Sequence, residues 1–328
     1  MSKCPFFANK AHYLFLALFF FCATLAQNPA TKASDASISE IKAIDRQIQK
    51  YRALAHSNPA ESTKKLVEIK NLCKKIGHKD GAMRSSMCLV LLYYNGGNYK
   101  KSIEETRFTE KYATELKDAQ YLSDVCRMRA NAYSEMGLLE ESMEELEKSL
   151  SYVHAITPPN AQFYKKALIY ESYAGTYEKK EDQKKQLYYR QKSIAATKKI
   201  TEKDLALTNA KYQNLGYQYA SMGFVYSNLK IKDSANYYFD QALKIVENGQ
   251  HEIYANVRAT LYSDMAKFYD SNKEYRKAIV FAKRAEQLEK QVPMPYIKER
   301  HFPYFVQFLY RNQPKGFFQI LPELICHT

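Results

Sequence analysis

Apolar side chains recur three and four positions apart along most of the chain. Ile38, Ile41, Ile44 and Ile48 open the pattern, and it runs to about Lys290 with no sustained two-residue alternation. This spacing puts the apolar positions on one face of a helix, whereas a half-buried strand would alternate. Breaks fall at Ser57-Asn58-Pro59, Gly77, Asn95-Gly96-Gly97, Gly137, Thr157-Pro158-Pro159, Gly249 and Val292-Pro293. Gly, Pro and Asn are the residues that stop helices or turn the backbone. Between the breaks the helices are predicted to be about 15 to 22 residues long.

A longer rhythm lies over the helical one. A small residue stands three positions before a tyrosine, and further small residues follow nine and sixteen positions after it. Val90, Tyr93, Ser102 and Thr109 fit, as do Ala130, Tyr133, Ser142 and Ser149. Ala174, Tyr177, Gln186 and Ser193 fit with one defect at Gln186. Gly223, Tyr226, Ala235 and Ala242 fit fully, and so do Ala266, Tyr269, Ala278 and Ala285. Two antiparallel helices that cross closely need small side chains where the backbones approach. The tyrosine then fills the wedge near the turn. One such pair cannot bury its apolar face alone, so pairs stack.

The segment Leu89 to Ile103, with Asn95-Gly96-Gly97-Asn98-Tyr99 at its centre, resembles the first-helix-and-turn signature of the tetratricopeptide repeat family. Tyr226 with Ala235, Phe239, Ala242 and Leu243 looks like the second half of that motif, and Tyr269 to Ile279 is a further match. The resemblance covers roughly residues 38–292. It implies an all-α, right-handed superhelical solenoid of stacked antiparallel helix pairs. A degenerate first pair, Ile38–His56 and Pro59–Ile76, brings the total to about six units. There are departures from the family. The anchors Tyr93, Tyr133, Tyr177, Tyr226 and Tyr269 lie 40, 44, 49 and 43 residues apart, against a family period of about 34. Lys230 also stands where the fifth unit would have its turn glycine.

Composition supports helix and narrows function. The 328 residues include only 10 Gly and 10 Pro, 28 Tyr and no Trp. The net charge of +14 is spread along the chain and interleaved with glutamates, so no nucleic acid partner is expected for this segment. At the N-terminus, Lys3 and Lys10 precede the apolar run Tyr13 to Ala26, and Thr24-Leu25-Ala26 offers small residues for cleavage. That layout predicts a secretory signal peptide over residues 1–26, with a linker over 27–37 and a periplasmic or cell-surface destination. Once the signal is removed, no transmembrane span is expected. Cys73, Cys88 and Cys126 sit among apolar residues and read as buried small hydrophobes. Export would also permit a Cys73–Cys88 disulfide.

No phosphate-binding loop, dinucleotide fingerprint or metalloprotease motif is present. The seven histidines are scattered, with none three or four residues from another. No enzyme, cofactor or metal is therefore expected. In the family, the functional surface is the groove lined by the first helices. The residues matching its groove positions include Arg84, Arg127, Asn131, Glu171, Tyr217, Phe224, Asn228 and Lys267. Arg127 and Asn131 echo the family's carboxylate clamp, but Ser172 and Tyr217 stand where its other members would be. The implied partner is a peptide or protein segment held by polar contacts, with Tyr217 and Phe224 as apolar anchors.

After Lys290 the pattern fails. Pro293, Pro295, Pro303, Pro314 and Pro322 crowd an apolar tail over residues 293–328. The tail reads either as an irregular cap or as non-native sequence after a frameshift or truncation. A signal segment followed by long-period, Tyr-rich repeats also looks like the sensor half of exported repeat proteins in Bacteroidetes-type bacteria, which continue into a membrane span and a helix-turn-helix domain. The alternative function is thus the ligand-sensing fragment of a membrane-bound transcriptional regulator.

Overall fold

The structure, a computed structural model, describes residues 35–55, 57–203 and 205–291. The predicted signal peptide, most of the linker and the tail lie outside these residues, as do Cys4, Cys22 and Cys326. Twelve α-helices and one 3-10 turn account for the regular structure among the described residues. They are α1 (Asp35–Leu54), α2 (Pro59–Lys75), α3 (Lys79–Asn95), α4 (Tyr99–Glu115), α5 (Ala119–Glu135) and α6 (Leu139–Tyr152). After the 3-10 turn Val153–Ala155 come α7 (Pro159–Lys179), α8 (Gln183–Lys198), α9 (Leu205–Asn228), α10 (Lys232–Glu247), α11 (Ala255–Ser271) and α12 (Tyr275–Gln291). This is an all-α array of six helix pairs. Helix α1 begins at Asp35, inside the stretch read as linker.

The anchor tyrosines also mark where the first helix of each pair stops. The amide of Asn98 donates to the Tyr93 carbonyl at 2.8 Å, Leu138 to Tyr133 at 2.9 Å, and Asp182 to Tyr177 at 3.0 Å. Ile231 donates to Tyr226 at 3.0 Å and Glu274 to Tyr269 at 2.8 Å. Each bond closes a six-residue helix-ending loop whose penultimate residue is left-handed. That residue is Gly97 and Gly137 in two pairs, but Glu181, Lys230 and Lys273 in the others, at φ of 58°, 59° and 63°. Lys117, at φ 55°, plays the same part between α4 and α5. Glycine punctuation therefore misses four turns that the chain makes with ordinary side chains. Four helices, α2, α4, α5 and α8, start on side-chain caps. Asn58, Asn98, Asp118 and Asp182 each accept from the amide three residues on, at 3.0 to 3.2 Å, which satisfies one of the free N-terminal donors.

The chain divides into two compact units at Gln218/Tyr219. In the first, consecutive helices pack as antiparallel neighbours, and the first helices of successive pairs touch: α1 with α3, α3 with α5, α5 with α7. Ile48, Leu66, Ile69, Leu89 and Leu92 form the core at the N-terminal end. Val90, Val125 and Met128 continue it, followed by Ala130, Leu146, Ile169 and Tyr173. Val90, Ala130 and Ala174 are fully buried. Tyr93 and Tyr133 are half-buried, and Tyr177 is buried.

In the second unit, Gly223 is the point of closest approach. A Cβ there would lie 2.6 Å from the ring of Phe239 on α10, so only glycine lets the two helices meet. Phe239 packs on Phe268 of α11 at 5.3 Å between ring centres. Ala235, Ala242, Ala266, Ala278 and Ala285 are all buried, with Tyr269 buried and Tyr226 half-buried beside them.

The permitted Cys73–Cys88 disulfide does not form: Cys73, Cys88 and Cys126 are thiols. Burial pushes the Cys73 thiol up to about 11 and that of Cys126 up to about 12, which makes both poor nucleophiles. No helix among the described residues is long and apolar enough to cross a membrane.

Candidate functional site

The first helices α3, α5 and α7 form one layer, and their facing side chains carry an unusual density of buried polar groups. Arg127 lies at the centre of α5 and is 1% exposed. None of its three guanidinium nitrogens has a hydrogen-bond partner. The nearest carboxylate, Asp124 Oδ1, is 3.8 Å from Nη2 and is itself without a partner. Burial works against the Arg127 charge and lowers its affinity for the proton, while Asp124, Tyr164 and Tyr94 oppose that effect. One turn on, the buried Asn131 has an Nδ2 group with no acceptor. Residues i and i+4 share a helix face, so the guanidinium and the amide present donors to the same side.

Fixed pairs frame these donors. The other oxygen of Asp124, Oδ2, accepts from Lys165 Nζ on α7. Glu135 at the end of α5 accepts from Lys179 of α7 at 2.8 Å and lies 3.4 Å from the Tyr94 hydroxyl of α3. Burial, then the Glu135 charge, push the Tyr94 phenol well above its usual value, so it stays protonated. These contacts tie α3, α5 and α7 together while leaving Arg127 and Asn131 uncommitted.

The remaining predicted groove residues fare differently. Arg84 is bound to Asp45 and Asp80 and is committed to the N-terminal end. Glu171, in the repeat position of Arg127 one unit on, is buried and paired with Arg190 of α8. Burial raises its carboxyl above the usual range despite that pairing. Arg190 also reaches Glu178 at 3.2 Å. Tyr217 on α9 is half-buried and adds to the electrostatic environment of Arg190. In the second unit, Phe224 and Lys267 are half-buried and Asn228 is exposed. The layer thus brings Arg127 and Asn131 together and spends Arg84 and Glu171 on internal pairs.

Tyr164 and Lys165 were not among the sequence-derived groove positions. They belong to the first turns of α7, whose 21 residues exceed the 17 of α3 and α5. The longer anchor spacing before Tyr177 was the signal for them, since it lengthens a first helix as well as a linker.

No family model matches the chain, and no curated protein does. Among solved structures, BtubC from P. vanneervenii is similar at 18% identity over 79% of this chain and 92% of that one, with a TM-score of 0.49. NprR in complex with its cognate peptide NprX is similar at 15% identity over 89% and 84%, with a TM-score of 0.56. The second likeness is one of fold, and it agrees with an array of tetratricopeptide-like helical repeats.

Proposed function

We propose that the chain is an exported, non-catalytic scaffold whose first-helix layer binds a peptide or protein segment. The observation that carries this reading is Arg127. A buried guanidinium without acceptors costs several kcal/mol by order of magnitude, far more than its burial returns. A carbonyl or carboxylate of a bound segment, placed between Arg127 and the Asn131 amide, would supply the acceptors. An extended peptide offers such oxygens at regular intervals and leaves its side chains to specify the partner. NprR, a protein of similar fold, binds a peptide, and this lends support to the reading.

The test replaces the donors without opening a cavity, as Arg127→Met with Asn131→Leu. Arg127 has no hydrogen bond to lose and Asp124 keeps its pair with Lys165, so the helical circular dichroism and melting temperature should hold. Capture of the partner by the chain should fall at least tenfold. Capture equal to that of the parent chain would sink the groove. In the regulator alternative, the same face would sense the ligand. Genomic sequence past codon 328 distinguishes the two, because a regulator needs further repeats, an apolar span and a helix-turn-helix in one frame.

A further inference from the structure

A second cluster lies at the N-terminal end, away from Arg127, and unites three helices. Asp45 comes from α1, His78 from the turn between α2 and α3, and Asp80 from the first turn of α3. Their ligand atoms all lie within 4.8 Å of one another, and His78 Nε2 is 3.2 Å from Asp45 Oδ1. The sulfur of Cys73, in the last turn of α2, lies beside this group without belonging to it. A Cβ on Gly81 would fall 2.6 Å from His78 Nε2 and 2.8 Å from Cys73 Sγ, so only glycine fits between ring and sulfur. The His78 amide donates to the Cys73 carbonyl at 2.8 Å, which fixes the turn that brings the two together.

We propose that Asp45, His78 and Asp80 form a binding site for a zinc-class divalent cation that fastens α1 to the α2–α3 corner. The donor set is one imidazole nitrogen and two carboxylates, with a water for the fourth position. The imidazole favours a borderline-soft, four-coordinate ion over magnesium or calcium, which take oxygen ligands. Zinc holds its ligand atoms roughly 3.5 Å apart, given bonds of about 2.0 to 2.3 Å. The three clustered donors need only small side-chain adjustments to reach that spacing.

Arg84 is the competitor. Its Nε lies 2.8 Å from Asp80 Oδ2, and its Nη2 bonds Asp45. It therefore supplies one positive charge to the two carboxylates that the metal would use. A divalent ion has to displace it, so Arg84 sets the affinity without being a ligand. The position also has a use: α1 is the end helix of the described array and has a partner on one side only, and the ends of stacked arrays need capping.

The test adds cobalt(II), then zinc, to the full chain. Binding at this site gives the intense visible bands of four-coordinate cobalt, abolished by zinc, and zinc raises the melting temperature by several degrees. His78→Ala and Asp80→Asn weaken uptake at least tenfold. Asp80 is half-exposed, so its variant folds even where the histidine variant does not. Arg84→Gln tightens binding about tenfold, and His154→Ala changes nothing. A weak octahedral-type spectrum, or wild-type uptake by Asp80→Asn, would overturn the site.

Discussion

In α3–α6 the residue twelve positions after each anchor tyrosine is a glutamate, and in α7–α12 it is an aromatic ring. Glu105 accepts from Lys70 of α2 at 2.6 Å and from the Ser86 hydroxyl of α3, and Glu145 pairs with Arg129 of α5 at 3.2 Å. Tyr189, Tyr238 and Phe281 instead stack on their own anchors, Tyr177, Tyr226 and Tyr269. The centroid distances are 5.4, 5.4 and 5.6 Å, with the planes within 10° of parallel. The small positions divide at nearly the same place. Ser102 donates to the Val90 carbonyl at 2.9 Å, Ser149 to the Ser123 carbonyl at 2.7 Å, and the Ser142 hydroxyl meets Thr176 at 3.0 Å. In α9–α12 these positions are alanines. One crossing geometry is thus held in two ways. Directional bonds fix how one helix is placed on the next, whereas rings and methyl groups supply contact area and tolerate small shifts.

The sharpest contrast is the position thirteen residues after the anchor. It is Leu146 and Phe239 in two pairs, both fully buried, but Arg190 in the fourth. Phe239→Ala should cost about 3–5 kcal/mol by loss of burial and cavity formation. Arg190→Ala should cost a similar 3–5 kcal/mol, because Glu171 is left buried and unpaired. The double substitution Glu171→Leu with Arg190→Leu separates the mechanisms. It should recover most of the loss, since apolar replacement of a buried pair is often neutral or better. Chemical denaturation followed by helical circular dichroism measures all three. A double variant no more stable than Arg190→Ala would show that the pair is held for packing and not for charge.

Next in size is the exchange of small residues between the regions. Ala242→Ser places a hydroxyl at a fully buried site and should cost about 1–3 kcal/mol wherever it finds no acceptor. Ser149→Ala removes a bond already made and should cost about 1 kcal/mol. Stacked repeats open locally, so native-state hydrogen exchange of α10 and α6 is the suitable readout. Equal losses would mean that the α9–α12 crossings have acceptors ready for a hydroxyl, against the contrast drawn above.

Acid should also distinguish the regions. Burial raises the Glu110 carboxyl, but Arg129 and Lys148 outweigh it and hold it below the usual range. A lowered folded value means that the contribution is present above the unfolded carboxylate pKa, near 4.3, and is lost as pH falls through the folded one. Exchange protection in α4–α6 should therefore drop between about pH 5 and 3. The stacked rings of α9–α12, Tyr226 on Tyr238 and Tyr269 on Phe281, contain no carboxylate. Glu110→Gln should flatten the acid dependence of α4–α6, and an unchanged profile would remove this ion network from the account.

The helices and their small crossing positions were legible because each is set by local spacing: Tyr93 to Ser102 to Thr109 repeats whatever surrounds it. The turns at Lys117, Glu181, Lys230 and Lys273 were less so. A left-handed residue announces itself only when it is glycine, although the caps Asp118 and Asp182 stood just after two of them. The groove was legible as a set of positions but not as a set of partners. All of Arg84, Arg127 and Glu171 are charged groove positions in sequence, and what separates them is Asp45, Arg190 and the lack of an acceptor within hydrogen-bond distance of Arg127. Asp45 lies 33 residues from His78, so no local motif could have joined them.

The smallest effect is a gain, and it should be the same in both regions. Lysine in the left-handed region carries a steric penalty that glycine avoids. Lys117→Gly in the first unit and Lys230→Gly or Lys273→Gly in the second each keep the helix-ending bonds and relieve that penalty. Against this, glycine raises the entropy of the unfolded chain. The net should be a stabilisation of about 0.5–1 kcal/mol, a rise of roughly 1–4 °C in melting temperature for a chain of this size. The converse, Gly97→Ala, should lose about 1 kcal/mol. Because the turns use backbone bonds alone, neither the glutamates of one region nor the rings of the other should alter these values. A gain at Lys117 with a loss at Lys230 would show that the two regions differ in backbone strain as well as in side-chain chemistry.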